Sequence, residues 1–241
     1  MISLVVPTYN EAENIESLCS LLVETLSKQN IDFEIIVVDD NSPDLTWKIA
    51  QAIAEKDKRI SVIVRKNERG LATAVLAGWK NARGNILGVI DGDLQQPPQT
   101  VPLLLNELNK NPAIDIVIAS RNIKGAPASR RSAWRRFVSW TGAFMSTLIF
   151  PKLLGQATDP MSGFFILRKE VISNKTLTPW GYKILLEVLV KGKYKEIAEV
   201  PYLFVERKRG GSKAGIKQYL ISFVYLLKLR IQSKRNLLVS G

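Results

Sequence analysis

The sequence predicts an α/β chain built on a mostly parallel central sheet with helices on both faces. Three observations carry that expectation. Val/Ile-rich runs recur through the first half, with room for a helix between successive runs. The runs are continuously apolar rather than alternating, as in strands covered on both faces. Polar residues gather just after the runs, where doubly wound sheets bind ligands beyond the carboxyl ends of their strands.

The elements follow in order. Residues 2–9 (ISLVVPTY) read as a buried strand, and an amphipathic pattern from about 14 to 28 as a helix, with 10–13 as its N-cap region. Residues 33–40 (FEIIVVDD) form a second strand, and 46–56 a second helix. A third strand at 60–66 is followed by a helix over 71–82, then a fourth strand over 85–91. A helix from about 100 to 109 leads to a fifth strand, DIVIASR, at 115–121. No internal repeat or low-complexity linker interrupts the series.

From Gly125 the character changes. Trp134, Phe137, Val138, Phe144, Met145 and Leu148 recur at helical spacing, with Arg135, Ser139, Gly142 and Ser146 on another stripe. Residues 214–241 are also amphipathic and basic. Their longest nearly charge-free run, 218–227, is about half of the roughly 20 residues that span a bilayer. Two readings stand: these helices complete the core, or they lie on a membrane surface.

Composition narrows the function. A chain of 241 residues holds one large domain, or a domain with an appendage. Cys19 is the only cysteine, which excludes an intrachain disulfide and fits a reducing compartment. The N-terminus shows no signal-peptide pattern. Histidine is absent, which excludes His-dependent triads and zinc sites and leaves carboxylates, lysines and oxygen-bound metals. The net charge is +12, and it is unevenly spread. Residues 116–158 carry seven Lys/Arg and 207–241 nine, both without an acid, so the remainder holds 18 basic residues against 22 acidic ones. Such asymmetry points to an anionic partner: nucleic acid, an anionic membrane or a phosphate-bearing substrate.

The chemistry concentrates at strand ends. In DGDLQQPP (91–98), Asp91 and Asp93 alternate on one side of an extended stretch and offer hard oxygens to Mg²⁺ or Mn²⁺, with Gln95 as an amide-oxygen candidate. Without histidine, such a cation is the natural way to neutralise a diphosphate leaving group. After the second strand, Asp40 can accept from a ribose hydroxyl or base imino group. Lys66, Arg69 and the amides near Gly70 open a helix, a phosphate-friendly place.

The stretches VVPTYNEAENI, VVDDNSPDLT, RGLATAVLAGWKNARGN, DGDLQQPP, DPMSGFFILRKEV and ERKRGGSK together resemble the dolichol-phosphate (polyprenol-phosphate) mannosyltransferases, inverting glycosyltransferases with the GT-A nucleotide-sugar fold. The resemblance runs from residue 2 to about 213 and implies a catalytic domain over 1–213, with 125–155 as a lipid-facing insert and 214–241 as a C-terminal amphipathic helix. It implies that Pro7, Tyr9, Glu11, Val38 and Asp40 hold the nucleotide. Asp91, Gly92 and Asp93 would sit at the diphosphate, with Asp91, Asp93 and Gln95 around the metal. Arg121 would contact donor and lipid phosphate, Arg135 and Ser139 the lipid phosphate. Arg207 and Lys213 would belong to a loop closing over the donor. Relatives often carry alanine at the place of Gly92 and histidine at that of Gln96, a difference bearing on loop stiffness and donor preference. Some also carry transmembrane helices after the catalytic domain.

The implied reaction moves mannose from GDP-mannose to a polyprenyl or dolichyl phosphate, at the cytoplasmic face of a membrane, with or without a membrane partner subunit. An ionised acceptor phosphate attacks the anomeric carbon without a general base, which suits a chain lacking histidine. UDP-glucose or another nucleotide sugar is the alternative donor. A hydroxyl acceptor would need a carboxylate base, a role open to Asp159, which in the lipid-phosphate branch instead orders the site. Nucleic-acid binding is the remote rival, since no recognised motif or base-stacking platform is present.

Overall fold

The computed structural model describes residues 1–123, 157–179 and 183–205. Seven strands form a single sheet in the order β3-β2-β1-β4-β6-β5-β7. They are β1 (Ile2–Thr8), β2 (Phe33–Asp39), β3 (Ile60–Val64), β4 (Ile86–Val89), β5 (Ile114–Ser120), β6 (Phe165–Arg168) and β7 (Glu196–Pro201). The helices are α1 (Ile15–Lys28), α2 (Thr46–Lys56), α3 (Leu71–Asn81), α4 (Thr100–Lys110) and α5 (Ile184–Lys191). The five strands and four helices expected in the first half are all present, with ends within a few residues of the expected ones. β6, α5 and β7 had no counterpart in the sequence reading.

The continuous apolar runs are explained by packing on both faces. Leu4, Val6, Ile35 and Val37 meet Leu18, Leu22 and Leu26 of α1 and Val101, Leu104 and Leu108 of α4. The alternating residues Val5, Ile36 and Val38 meet Ala72, Val75 and Trp79 of α3, in a cluster that continues to Leu185 and Val188 of α5. Gly78 lets α3 close on the sheet. A Cβ at that position would stand 2.6 Å from both γ-methyls of Val5.

One strand breaks the parallel pattern and shapes the site. β6 runs antiparallel between β4 and β5, with Val89 opposite Phe165 and Ile118 also opposite Phe165. Its amino end therefore reaches the edge where β1, β2, β4 and β5 present their carboxyl ends. Continuing the register by two residues sets Gly163 across from Asp91. Every strand end that carries chemistry thus opens on one side of the sheet.

Arg135, Ser139, Arg207, Lys213, the whole of the 125–155 insert and the expected helix over 214–241 lie outside the described residues. Among the described residues, no helix is long and apolar enough to cross a membrane.

Candidate functional site

The loops after β1 and β2 are laced together before any ligand is considered. Asp39 accepts from Thr8 Oγ1 at 2.8 Å, from the Ser42 backbone at 2.7 Å and from Ser42 Oγ at 2.7 Å. The amides entering α1 are satisfied from the neighbouring loop: Asn10 N donates to Ser42 Oγ, Glu11 N to Thr46 Oγ1 and Ala12 N to Asp44 Oδ2. These bonds fix the loop that leads into α1, whose N-cap residue Asn14 makes no side-chain capping bond and donates to Glu11 Oε2 at 2.9 Å instead. Asn10, Asn41 and Leu45 all take left-handed backbone conformations, with φ of 53–64°. Asparagine enters that region at little cost, leucine at more, and such positions cluster at ligand sites.

Asp40 sits just beyond this lacework, buried and heavily engaged. Its Oδ1 accepts from Arg65 Nε at 2.7 Å and from Arg65 Nη2, and its Oδ2 from Gly70 N at 2.8 Å. A nucleotide contact at Asp40 would thus use only its remaining acceptor capacity. Arg65 also donates to Gly70 O and Thr73 Oγ1, both at 2.9 Å, so the pair fixes the start of α3. Beside it the Arg69 guanidinium lies 4.5 Å from the centroid of the Tyr9 ring. This stack of a cation on an aromatic face is the flat element next to Asp40. Pro7 and Val38 are buried where β1 pairs with β2, register partners of each other.

The DGD segment follows β4. At Gly92 a Cβ would stand 3.0 Å from Thr8 Cγ2 and 3.5 Å from the Pro7 carbonyl, a tight fit that a shift of a few tenths of an ångström would have to relieve. Asp93 Oδ1 accepts from Gln95 N at 3.1 Å across Leu94, whose φ of 59° reverses the chain. Gln95 Nε2 donates to the Val205 carbonyl at 3.1 Å, which fixes the side chain and leaves Oε1 as its acceptor. Asp91 is strongly perturbed. Burial first, then the Asp93 and Glu11 charges, push its carboxyl up to about 7, against the opposing pull of Arg121 and Lys183. Its Oδ1 is buried with no hydrogen-bond partner.

A cationic wall faces these acids. Arg121, at the end of β5, donates to Asp159 through Nε at 2.6 Å and Nη2 at 2.9 Å. Burial opposes its charge, but Asp159 outweighs burial and holds the guanidinium pKa above its usual range. Asp159 is itself held by β7, where Glu199 Oε1 accepts from the amides of Thr158 at 3.0 Å and Asp159 at 3.1 Å. An Asp159 so fully committed to Arg121 orders the site and is poorly placed to act as a base. Lys183, entering α5, senses Asp91, Asp159 and Arg121; burial and then Arg121 bring its pKa down to about 8.

The arrangement fits a divalent cation that draws part of its shell from a diphosphate. A partnerless buried carboxylate oxygen, a second carboxylate two residues on and an amide oxygen make a hard, anionic donor set. Among the described residues, no three acidic, histidine or cysteine side chains converge to cage a metal unaided. Lys183, Gly163 and Glu199 have no place in the sequence reading of the site, Gly163 being visible only as part of DPMSGFF. Gln96 figures there only as the position where relatives often carry histidine, with no contact to Asp91 foreseen.

The comparisons with known proteins agree with this geometry. The profile of glycosyl transferase family 2 matches residues 3–174. A dolichol-phosphate mannosyltransferase of Pyrococcus furiosus is 43% identical over 94% of this chain, and the chain spans 64% of that protein's length, under two thirds. The Saccharomyces cerevisiae dolichol-phosphate mannosyltransferase is 36% identical over 94% of this chain and 85% of its own. Among solved structures, mannosyl-3-phosphoglycerate synthase from Rubrobacter xylanophilus superposes with a TM-score of 0.75 at 20% identity, covering 98% of this chain and 75% of that one. Glucosyl-3-phosphoglycerate synthase from Mycobacterium tuberculosis, solved with Mn²⁺ and UDP, gives 0.70 at 22% identity over 97% and 79%. These two likenesses establish the GT-A fold. With the strand-end carboxylates in place and the family profile spanning most of the chain, the protein belongs to glycosyl transferase family 2, in the branch of the dolichol-phosphate mannosyltransferases.

Proposed function

We propose that this glycosyltransferase moves mannose from GDP-mannose to a polyprenyl phosphate of the dolichyl type, at a membrane surface, with inversion at the anomeric carbon. The observation that carries the reading is Asp91, a buried carboxylate with one oxygen unpartnered, set beside Asp93 and facing Arg121 and Lys183. A site that concentrates acids and bases in this way is built for a phosphate-rich ligand and its counter-cation. The Mn²⁺ bound by the mycobacterial neighbour supports the same reading.

Asp91, Asp93 and Gln95 would hold Mg²⁺ or Mn²⁺, which when bound supplies charge to the departing diphosphate. The remaining tasks belong to the chain. The Tyr9–Arg69 stack and Asp40 border the space for the nucleoside. Arg121, immobilised by Asp159, presents a fixed cation to an anionic acceptor, and charge-assisted hydrogen bonds to phosphate are geometrically demanding. Lys183 adds a second cation on that side. Arg135 and Ser139 would complete the lipid-phosphate site, and Arg207 and Lys213 the cover over the donor, as the resemblance implies. The acceptor phosphate is ionised near neutral pH, so alignment and electrostatic stabilisation suffice and no base is needed. In-line attack on an α-linked donor gives a β-linked lipid product. The two basic segments would keep the enzyme on the cytoplasmic face of its membrane.

The test is transfer of labelled sugar into organic-extractable polyprenyl phosphate, with GDP-mannose and UDP-glucose offered in parallel. Metal-dependent labelling from GDP-mannose is expected. Labelling from UDP-glucose alone would retain the site and replace the sugar. No lipid product from either donor would overturn the acceptor assignment.

A further inference from the structure

Gln96 is 2% exposed and spends its whole carboxamide on one residue. Asp91 N donates to Gln96 Oε1 at 2.8 Å, and Gln96 Nε2 donates to Asp91 Oδ2 at 2.5 Å. Backbone and side chain of Asp91 are therefore clamped by the same planar group. On another side stands Gly163, where a Cβ would lie 3.3 Å from Oδ2, 3.5 Å from Oδ1 and 3.7 Å from Gln96 Nε2. The terminal torsion of an aspartate is broad, so an unclamped carboxylate would swing its plane and give neither oxygen a fixed direction. Here one oxygen is consumed by Gln96 and the other, Oδ1, is left buried without a partner.

We propose that Gln96 is a positioning residue: its carboxamide engages one oxygen and locks the plane of the Asp91 carboxylate, so that the remaining oxygen, Oδ1, is held in a fixed direction for the divalent cation. This rests on the metal-assisted reading above. The donor–acceptor pattern makes the proposal specific. A leucine at 96 can make neither bond. A glutamate can accept from Asp91 N but sets a second carboxylate against Oδ2. A neutral imidazole has one acceptor and one donor nitrogen, so histidine can in principle meet both demands.

The test measures metal binding without turnover. Full-length protein with saturating GDP is titrated with Mn²⁺, and free Mn²⁺ is followed by its EPR signal. Loss of an outer-sphere partner typically weakens metal binding about 10–100-fold. Gln96→Leu is expected to raise the Mn²⁺ Kd by about tenfold or more on that scale, and Gln96→His to stay within about threefold of the parent. Metal-free GDP binding and the melting temperature report whether each variant is folded. A folded Gln96→Leu that binds Mn²⁺ as tightly as the parent overturns the proposal, reducing Gln96 to a turn-satisfying residue. Where Gln96→Leu does not fold, Gln96→Glu decides in the same way: unchanged affinity overturns, weakened affinity supports. A parent protein that binds no Mn²⁺ with GDP present overturns it as well. A parent that binds Mn²⁺ and loses it in Gln96→Leu, yet transfers no sugar to polyprenyl phosphate, sustains this inference while removing the proposed acceptor.

Discussion

Replacing Asp159 with alanine is the perturbation whose cost the structure defines most fully. The Asp159 side chain is 2% exposed and that of Arg121 17%. Asp159 receives Arg121 Nε at 2.6 Å, Nη2 at 2.9 Å and the Arg121 amide at 3.3 Å. Breaking a buried pair by removing one partner costs about 3–5 kcal/mol, because the other charge is left uncompensated. Arg121 keeps some exposure, the field of Asp91 and the Phe204 ring 5.8 Å away, so the cost is discounted to below that range, about 2–3 kcal/mol. For a domain of this size that is a fall in Tm of roughly 5–10 °C. The guanidinium also loses its fixed direction, so transfer should fall by about 10²-fold, as misplacement of a positioned group does. Thermal melting and transfer kinetics on the same preparation are the assay. A variant that melts within about 1 °C of the parent and transfers normally would refute the claim that Asp159 holds Arg121 in place.

Further outcomes follow from other parts of the molecule. Gly78→Ala drives a methyl to 2.6 Å from both γ-carbons of Val5, a stiff β-branched residue, and should cost about 1–3 kcal/mol in melting experiments while the folded enzyme's kcat stays unchanged. With GDP already saturating, Mn²⁺ at about 100-fold its Kd should stabilise the parent by a further ~2.7 kcal/mol. That gain should vanish in Asp93→Asn, and chelator should abolish transfer until Mg²⁺ or Mn²⁺ is restored. Burial pushes the Cys19 thiol up from 9.0 to about 12. A group with its folded pKa raised contributes stability that is complete below the unfolded pKa and is lost as pH climbs through the folded one. Denaturant titrations should therefore show parent stability declining between about pH 9 and 12 more steeply than that of Cys19→Ala, and iodoacetamide at pH 8 should label Cys19 only on unfolding.

The first half of the fold is legible because each strand is buried on both faces and each helix on one, so hydrophobic runs carry the pattern directly. β6 is not legible. Its four residues continue the apolar FF of DPMSGFF, and their meaning lies in antiparallel insertion between strands more than 40 residues away in sequence. α5 hides a different signal, since its Glu187 is fully buried and satisfied by Lys191 Nζ and the Thr178 amide, each at 2.6 Å. The carboxylates of DGD are visible as a motif. What makes Asp91 special is not, because Gly163 and Lys183 reach it only through the tertiary fold, and Gln96 stands out only as a departure from relatives, with nothing to show that it clamps Asp91. Similarly, the polar residues at 10–13 read as an N-cap region, whereas their amides are tied to Ser42, Asp44 and Thr46 across 32–35 residues of chain.

The most direct measurement is the anomeric configuration of the lipid product. The protein would be incubated with GDP-mannose, polyprenyl phosphate and Mn²⁺, and the extracted lipid examined by NMR at its anomeric carbon. Direct attack by a phosphate fixed at Arg121, with the diphosphate leaving at Asp91 and Asp93, predicts a β-mannosyl phosphate lipid and no free mannose. An α-configured product, or release of mannose to water without any lipid product, would contradict the account.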